Sequence, residues 1–264
     1  MLPNLSVVVI TRNEASRIKA CLEAVRWADE IIVVDSGSTD ETVQIATNLG
    51  ARVVHHDFAG YGAQKNVAVN LATASWVLSI DADEIVTEAL SISIRRVIMS
   101  PEELTGKKHN SSGEILPAAY RFRRRFVFLG KVFRHGSDSV DHPIRLFRRT
   151  KARFSDDLVH ESLIVDGPIA EIDGEMLHHS YETLSQYFQK FDRYTDLAAE
   201  QLFAKNSRRN SLLTALLQPL YFVRHYILGG HILNGWHGFI WSIFSSWYPV
   251  VKIAKLEALR RSRR

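Results

Sequence analysis

The sequence predicts an α/β fold: a mostly parallel sheet with helices on both faces, followed by a C-terminal helical region. Three observations predict it. Short unbroken apolar runs recur through the first hundred residues, segments of helical spacing separate them, and polar acidic clusters follow the apolar runs. Strands covered on both faces read as continuous apolar runs, and alternation with helices makes neighbouring strands parallel.

The elements follow in order. Residues 7–10 (Val-Val-Val-Ile) read as the first strand, and residues 14–25 as a helix with Ile18, Leu22 and Val25 on one face. Residues 31–34 are the second strand. Residues 39–49 are a helix stopped by Gly50, the residue type that ends helices in a left-handed turn. Residues 52–55 form a short third strand, 63–72 a helix and 76–80 a fourth strand. Residues 101–113 turn polar and read as an exposed loop. A basic and aromatic stretch, Tyr120-Arg121-Phe122-Arg123-Arg124-Arg125-Phe126, opens a second half with a strand at 144–148. Helical spacing returns from Leu184. The division expected is a first domain at 1–183, with halves at 1–100 and 114–183, and a helical region at 184–264.

Composition sets the limits. With 264 residues, 46% hydrophobic and 23% charged, the chain has enough apolar material for one large core. A net charge of +4 does not mark a nucleic-acid binder, and no nucleic-acid motif accompanies the arginine cluster. The single cysteine, Cys21, excludes an internal disulfide and suits a reducing compartment. The N-terminus lacks the basic and apolar regions of a secretion signal.

Ligands of such sheets bind outside the carboxyl ends of the strands. Three polar clusters fall there: Thr11-Arg12-Asn13-Glu14, the segment from Asp35 to Asp40, and Asp81-Ala82-Asp83-Glu84. Each has a plain structural reading as a helix cap or a turn. Two carboxylates one residue apart at the end of a buried strand are nevertheless costly without a compensating charge. Mg²⁺ takes one or two protein carboxylates together with substrate phosphates. Asp81 and Asp83 therefore suggest a metal–diphosphate site and a nucleotide-activated substrate, with Asp35 accepting from a nucleobase and Glu14 from a ribose hydroxyl.

Jointly, Val-Val-Ile-Thr-Arg-Asn-Glu, Val-Val-Asp-Ser-Gly-Ser-Thr-Asp and Asp-Ala-Asp resemble the family-2 glycosyltransferases of the GT-A (Rossmann-like) fold. The resemblance implies a UDP-sugar donor and Mg²⁺ or Mn²⁺ as cofactor. It implies that Thr11 and Glu14 flank the uridine, Asp35 contacts the uracil, Asp83 binds the metal, and Asp81 supports the ribose or the metal. Asn13, Ser38 and Ala82 belong to the same nucleotide-sugar set. Lys65, within Gln64-Lys65-Asn66, is implied near the nucleotide or its phosphates; its plain reading is a solvated helix lysine.

Leu129-Gly130-Lys131, Arg145-Leu146-Phe147-Arg148-Arg149, Val159-His160-Glu161 and Leu177-His178-His179-Ser180-Tyr181 extend the resemblance to bacterial lipopolysaccharide inner-core β-glucosyltransferases. That branch implies inverting transfer of a hexose, glucose from UDP-glucose, to a lipid-linked core saccharide. Glu161 is the implied base, with Asp157 in reserve and Asp156 behind it, and His160 orients the base. His178, or His179, is a further metal or diphosphate ligand. Arg145 is a diphosphate or anionic-acceptor contact. A polyprenyl-phosphate acceptor and a non-catalytic saccharide-binding protein are the alternatives.

Residues 212–233 and 236–251 are apolar but interrupted, the first by Gln218, Pro219, Arg224 and His225, the second by His237. A span needs about 20 predominantly apolar residues. Six tryptophans and tyrosines lie in this region, with Arg208 and Arg209 before it and Lys252, Lys255, Arg260, Arg261, Arg263 and Arg264 at its end or after it. This pattern predicts helices lying in an anionic membrane surface. The expected location is the cytoplasmic face of a bacterial inner membrane, and a second copy of the chain is the remaining candidate partner.

Overall fold

A computed structural model describes residues 4–99, 116–155 and 162–262. The expected base Glu161, its reserve Asp157, their neighbours Asp156 and His160, and the polar loop at 101–113 lie outside the described residues.

The described chain begins as the sequence predicts. Strand β1 (Leu5–Thr11), helix α1 (Ala15–Glu23), β2 (Glu30–Asp35), α2 (Thr42–Asn48), β3 (Arg52–His55), α3 (Tyr61–Leu71) and β4 (Trp76–Asp81) alternate. β1 lies between β2 and β4, parallel to both, and β3 pairs parallel with β2. After β4 the chain makes β5 (Glu84–Val86), α4 (Glu88–Met99), β6 (Ala119–Phe128), β7 (Lys131–Val132), β8 (Val140–Asp141), β9 (Ile144–Arg148), β10 (Ala152–Phe154), β11 (Leu163–Val165) and β12 (Ile169–Tyr181). The sheet runs β3-β2-β1-β4-β9-β6-β12-β5, with β7 and β8 beside β6 and a separate β10–β11 pair. β9 is antiparallel to β4 and to β6, and β5 is antiparallel to β12. The sheet is thus parallel in its first four strands and mixed as a whole.

The apolar runs are unbroken because both faces are covered. Val7 and Val9 point into a core with Ile18 and Leu22 of α1, Ala46 of α2, and Leu90 and Ile94 of α4. Val8 points the other way, into a core with Ala68 and Val69 of α3 and Phe147 of β9. Side chains alternate along a strand, so one run feeds two cores. Each fully buried aliphatic side chain there is worth about 1.5–3 kcal/mol.

The described chain forms two compact units. The first comprises residues 1–124 and 141–178, the second residues 125–140 and 179–264. The second unit has its own aromatic core, in which Phe128, Phe133 and Tyr187 are buried and Phe126, Trp241 and Phe244 pack around them. Its helices are α5 (Leu184–Ala204), α6 (Ser211–Leu216), α7 (Gln218–Val223) and α8 (Gly235–Ser262), with a π turn at Arg224–Leu228 and a 3₁₀ turn at His231–Asn234. Thr183 and Gln186 form a capping box at the start of α5. The first interrupted apolar run is therefore a chain of short turns, whereas the second lies within one long helix. No helix among the described residues is long and apolar enough to cross a membrane.

Candidate active site

The carboxyl ends of β1, β2 and β4 meet at one edge of the sheet. Thr11 stands in register with Asp35, and Ile10 with Asp81. Strands are spaced about 4.8 Å apart, so the ends of β2 and β4 stand roughly 10 Å apart with β1 between them.

The β2 end is built by short-range hydrogen bonds. Asp35 is buried, and its Oδ2 accepts from the backbone amides of Gly37 and Ser38, both at 2.9 Å. Its Oδ1 accepts from the Ser38 hydroxyl. Gly37 has a φ of 83°, a left-handed conformation that glycine takes without a Cβ penalty. The β1 end is tied to the same turn. The amide of Asn13 donates to Ser38 Oγ at 2.8 Å, and Asn13 Oδ1 accepts from the Thr39 amide at 2.8 Å. The Glu14 amide donates to Thr42 Oγ1 and the Ala15 amide to Asp40 Oδ2. These bonds bring Asn13, Glu14, Asp35 and Ser38 into one constellation. Glu14 itself pairs with Arg17 at 3.1 Å. Thr11 Oγ1 is buried with no hydrogen-bond partner in this structure, a polar atom available to a ligand.

At the β4 end the two carboxylates separate in role. Asp81 faces protein cations: Arg145 Nη2 lies 2.7 Å from its Oδ2 and Lys65 Nζ 3.3 Å from its Oδ1. Burial pushes the Asp81 carboxyl up, but Arg145 and then Lys65 outweigh it and hold the group well below the usual carboxylate range. Burial would likewise weaken the charge on Arg145, yet Asp81 and Glu84 raise its value well above normal. Asp83 instead lies 3.4 Å from His178 Nε2. β5 and β12 create that contact, since they set His178 in register with Glu84.

Three residues carry more of the site than the sequence indicates. Glu84 is fully buried. Its Oε2 accepts from the Asp81 amide at 2.9 Å, and its Oε1 from Arg145 at 2.6 Å and Arg124 at 2.7 Å. Arg124 also donates from Nε to Asp141 at 2.9 Å. Gln64 is fully buried and donates to Ser36 Oγ and to the His56 carbonyl. With Lys65 beside it on α3, adjacent residues reach both the β2 loop and Asp81. Lys65 is thus a buried cation rather than a solvated one. Cys21 lies under the edge, its thiol 3.6 Å from the Asp81 carbonyl. Burial, then Glu84, Asp83 and Asp81, push that thiol well up, so it is inert here. Ala82, between the two aspartates in sequence, is buried.

A divalent cation fits the Asp83–His178 pair. Cis ligands at bond lengths of about 2.0–2.1 Å stand about 3 Å apart, close to the 3.4 Å seen here. One acidic carboxylate, one imidazole and a neighbouring neutralised carboxylate leave room for anionic ligands to complete the shell.

A parallel half-sheet, an acidic edge and an Asp83–His178 pair are brought together at the carboxyl ends of the strands. Residues 6–98 match the family described as Glycosyl transferase family 2. Over 265 residues the chain is 28% identical to an uncharacterized glycosyltransferase of Rickettsia typhi, covering 97% of this chain and 87% of that protein. It is also 28% identical over 265 residues to the lipopolysaccharide core biosynthesis glycosyltransferase LpsC of Rhizobium meliloti, covering 97% and 93%. Among solved structures, S. aureus TarS overlays 99% of this chain and 55% of its own at 16% identity, with a TM-score of 0.43. Residues 6–98 are thus similar to the family-2 glycosyltransferases, and a lipopolysaccharide-core glycosyltransferase is among the relatives of the whole chain.

Proposed function

We propose that this chain is an inverting, metal-dependent hexosyltransferase. It moves glucose from UDP-glucose onto a lipid-linked lipopolysaccharide core saccharide at a membrane surface. The observation that carries the reading is the two-ended acidic edge: a buried Asp35 shaping one loop, and Asp83 with His178 at the other end.

The chain's residues divide the work. Asp35 holds the Ser36–Ser38 backbone and retains acceptor capacity for a base N–H, because a carboxylate offers about four lone-pair positions. Glu14 and the Thr11 hydroxyl, the latter buried without a partner, are assigned to the uridine. Asp83 and His178 would hold the cation, which when bound would supply positive charge against the departing diphosphate. Arg145 and Lys65 keep Asp81 ionised and the turn rigid, so the cation ligands are placed before the donor arrives. Glu161 is assigned the proton of the acceptor hydroxyl; a positioned base of this kind supplies about 10²–10⁴-fold.

The test is a panel of UDP-sugars against defined lipid-linked acceptors, read by mass spectrometry of the product. Transfer from UDP-glucose to a core saccharide is the expected result, and transfer to polyprenyl phosphate alone would reassign the acceptor. Asp83→Ala is expected to remain folded by circular dichroism and to lose nearly all turnover, measured as UDP release. Normal turnover in that variant removes Asp83 from metal binding. Glu161→Gln is expected to retain UDP-sugar binding and lose transfer, whereas collapse with Asp157→Asn alone would move the base to Asp157.

A further inference from the structure

We propose a second metal site, in the second unit and separate from the donor-site residues, in which Asp138, His225 and His231 bind a zinc-class divalent cation. One ligand atom from each of the three lies within 4.8 Å of the others, the only such group of three among the described residues. The three come from separate segments: Asp138 from the turn between β7 and β8, His225 from the π turn, and His231 from the 3₁₀ turn.

Three of the four ring nitrogens are buried without a hydrogen-bond partner. His231 is completely buried, and neither of its ring nitrogens makes a hydrogen bond. Its Nε2 abuts Asp138 Oδ1. Nδ1 of His225 is buried and unpartnered as well, and the two rings stack with centroids 5.9 Å apart. Buried polar atoms are ordinarily paired. A cation taking one nitrogen from each ring and one carboxylate oxygen would satisfy the ring atoms that face the cluster, and the second nitrogen of His231 stays outside its shell.

The surrounding chain is shaped around these rings. Gly136 has a φ of 111°, and a Cβ there would lie 2.4 Å from His231 Cε1. A Cβ on Gly238 would lie 1.9 Å from the His231 carbonyl oxygen. The other oxygen of Asp138 accepts from Trp241 Nε1 at 2.8 Å. That bond orients the carboxylate as an outer-shell partner orients a metal ligand. His225 lies in a π turn, a distortion often found at functional sites.

The donor set selects the cation. Two imidazoles and one carboxylate suit Zn²⁺ or Co²⁺ and not Mg²⁺, which prefers all-oxygen surroundings. Three protein ligands leave a fourth position for water. Ligand atoms of a tetrahedral zinc stand about 3.3 Å apart at bond lengths of about 2.0–2.1 Å. Small side-chain rotations close the set, and the tight Asp138–His231 contact opens to admit the ion. A cation there would tie the β7–β8 turn to the 224–234 turns.

The test uses the full chain carrying Asp83→Ala, so that the donor site contributes no metal. After chelator treatment and dialysis, Zn²⁺ or Co²⁺ alone is added. Bound metal is counted by mass spectrometry of the elements, and cobalt is followed by its visible absorption. One equivalent per chain and a raised melting temperature are expected. His225→Ala and Asp138→Asn, each added to that background and checked for folding by circular dichroism, are expected to lose the equivalent and the cobalt absorption. Absence of binding in the Asp83→Ala chain overturns the proposal. So does unchanged stoichiometry in either folded double variant. Should the His225→Ala chain not fold, the Asp138→Asn cobalt spectrum decides alone.

Discussion

Arg145 meets Asp81 at 2.7 Å and Glu84 at 2.6 Å, so a single buried guanidinium bridges two carboxylates. Removing the acid from such a cluster strands the cations, and breaking a buried pair costs about 3–5 kcal/mol. Glu84→Ala is therefore expected to lower the unfolding free energy by that amount, read as a lower urea midpoint at unchanged slope. The exposed Arg121–Glu171 pair, at 3.2 Å, is the control: Arg121→Ala should change stability by less than about 1 kcal/mol. Equal losses in both would refute the buried cluster. The pH dependence follows from Asp81. Its folded-state value lies below the ordinary 3.8, so its contribution is complete above that value and is lost as pH falls through the lower folded value. The stability difference between the parent chain and Asp81→Asn should be constant above pH 3.8 and shrink below it; a difference that grew on acidification would contradict the pairing. At this scale the sequence displayed the acids and concealed their partners. Asp35, Asp81 and Asp83 are legible because they directly follow apolar runs. The pairing of Glu84 with Arg124 and Arg145 spans 40 and 61 residues, and only the β4-β9-β6 pairing reveals it. The role of Lys65 was hidden similarly, since helix spacing does not report that its amine is buried against Asp81.

Among the elements, the alternating first half was legible because each apolar run is flanked by helical spacing and ends in polar residues. β5 was not, because three residues carry no periodicity, and β5 exists through its pairing with β12. That pairing matters to the site, since it brings His178 to Asp83. β12 in turn accommodates α4 through Gly174. Its φ is 109°, and a Cβ there would lie 2.5 Å from the Leu90 Cα. Backbone in that region costs a residue with a side chain about 1–3 kcal/mol, and here the clash with helix backbone adds to it. Gly174→Ala should therefore lower the melting temperature more than Gly50→Ala. Gly50 also has a positive φ, 85°, but nothing within 4 Å of its Cβ position. If the two variants melt alike, close packing of α4 on β12 is not what fixes Gly174.

For the whole molecule, the apolar tail is the feature that burial leaves unexplained. Within residues 212–236, Leu228 is 80% exposed, Leu216 70%, Leu212 69%, Leu233 67% and Leu220 63%. Trp236 is 59% exposed in the same stretch. Soluble monomers seldom expose so many large apolar side chains close together, and the exposed Arg208, Arg209 and Arg224 add positive charge there. We propose that this surface lies in the headgroup zone of an anionic leaflet, where apolar contact and basic charge act together. The full chain should then float with anionic vesicles in a density gradient and float less with neutral ones. Raising the salt should weaken flotation without abolishing it, because screening removes only the electrostatic part. A triple Leu216→Gln, Leu220→Gln, Leu228→Gln variant withdraws three side chains worth about 1.5 kcal/mol or more each. Partitioning should fall roughly a thousandfold, at about 1.4 kcal/mol per factor of ten, whereas Asp83→Ala should float like the parent chain. If the parent stays at the bottom of the gradient and elutes as a dimer that the triple variant dissolves, the surface is an interface between two copies.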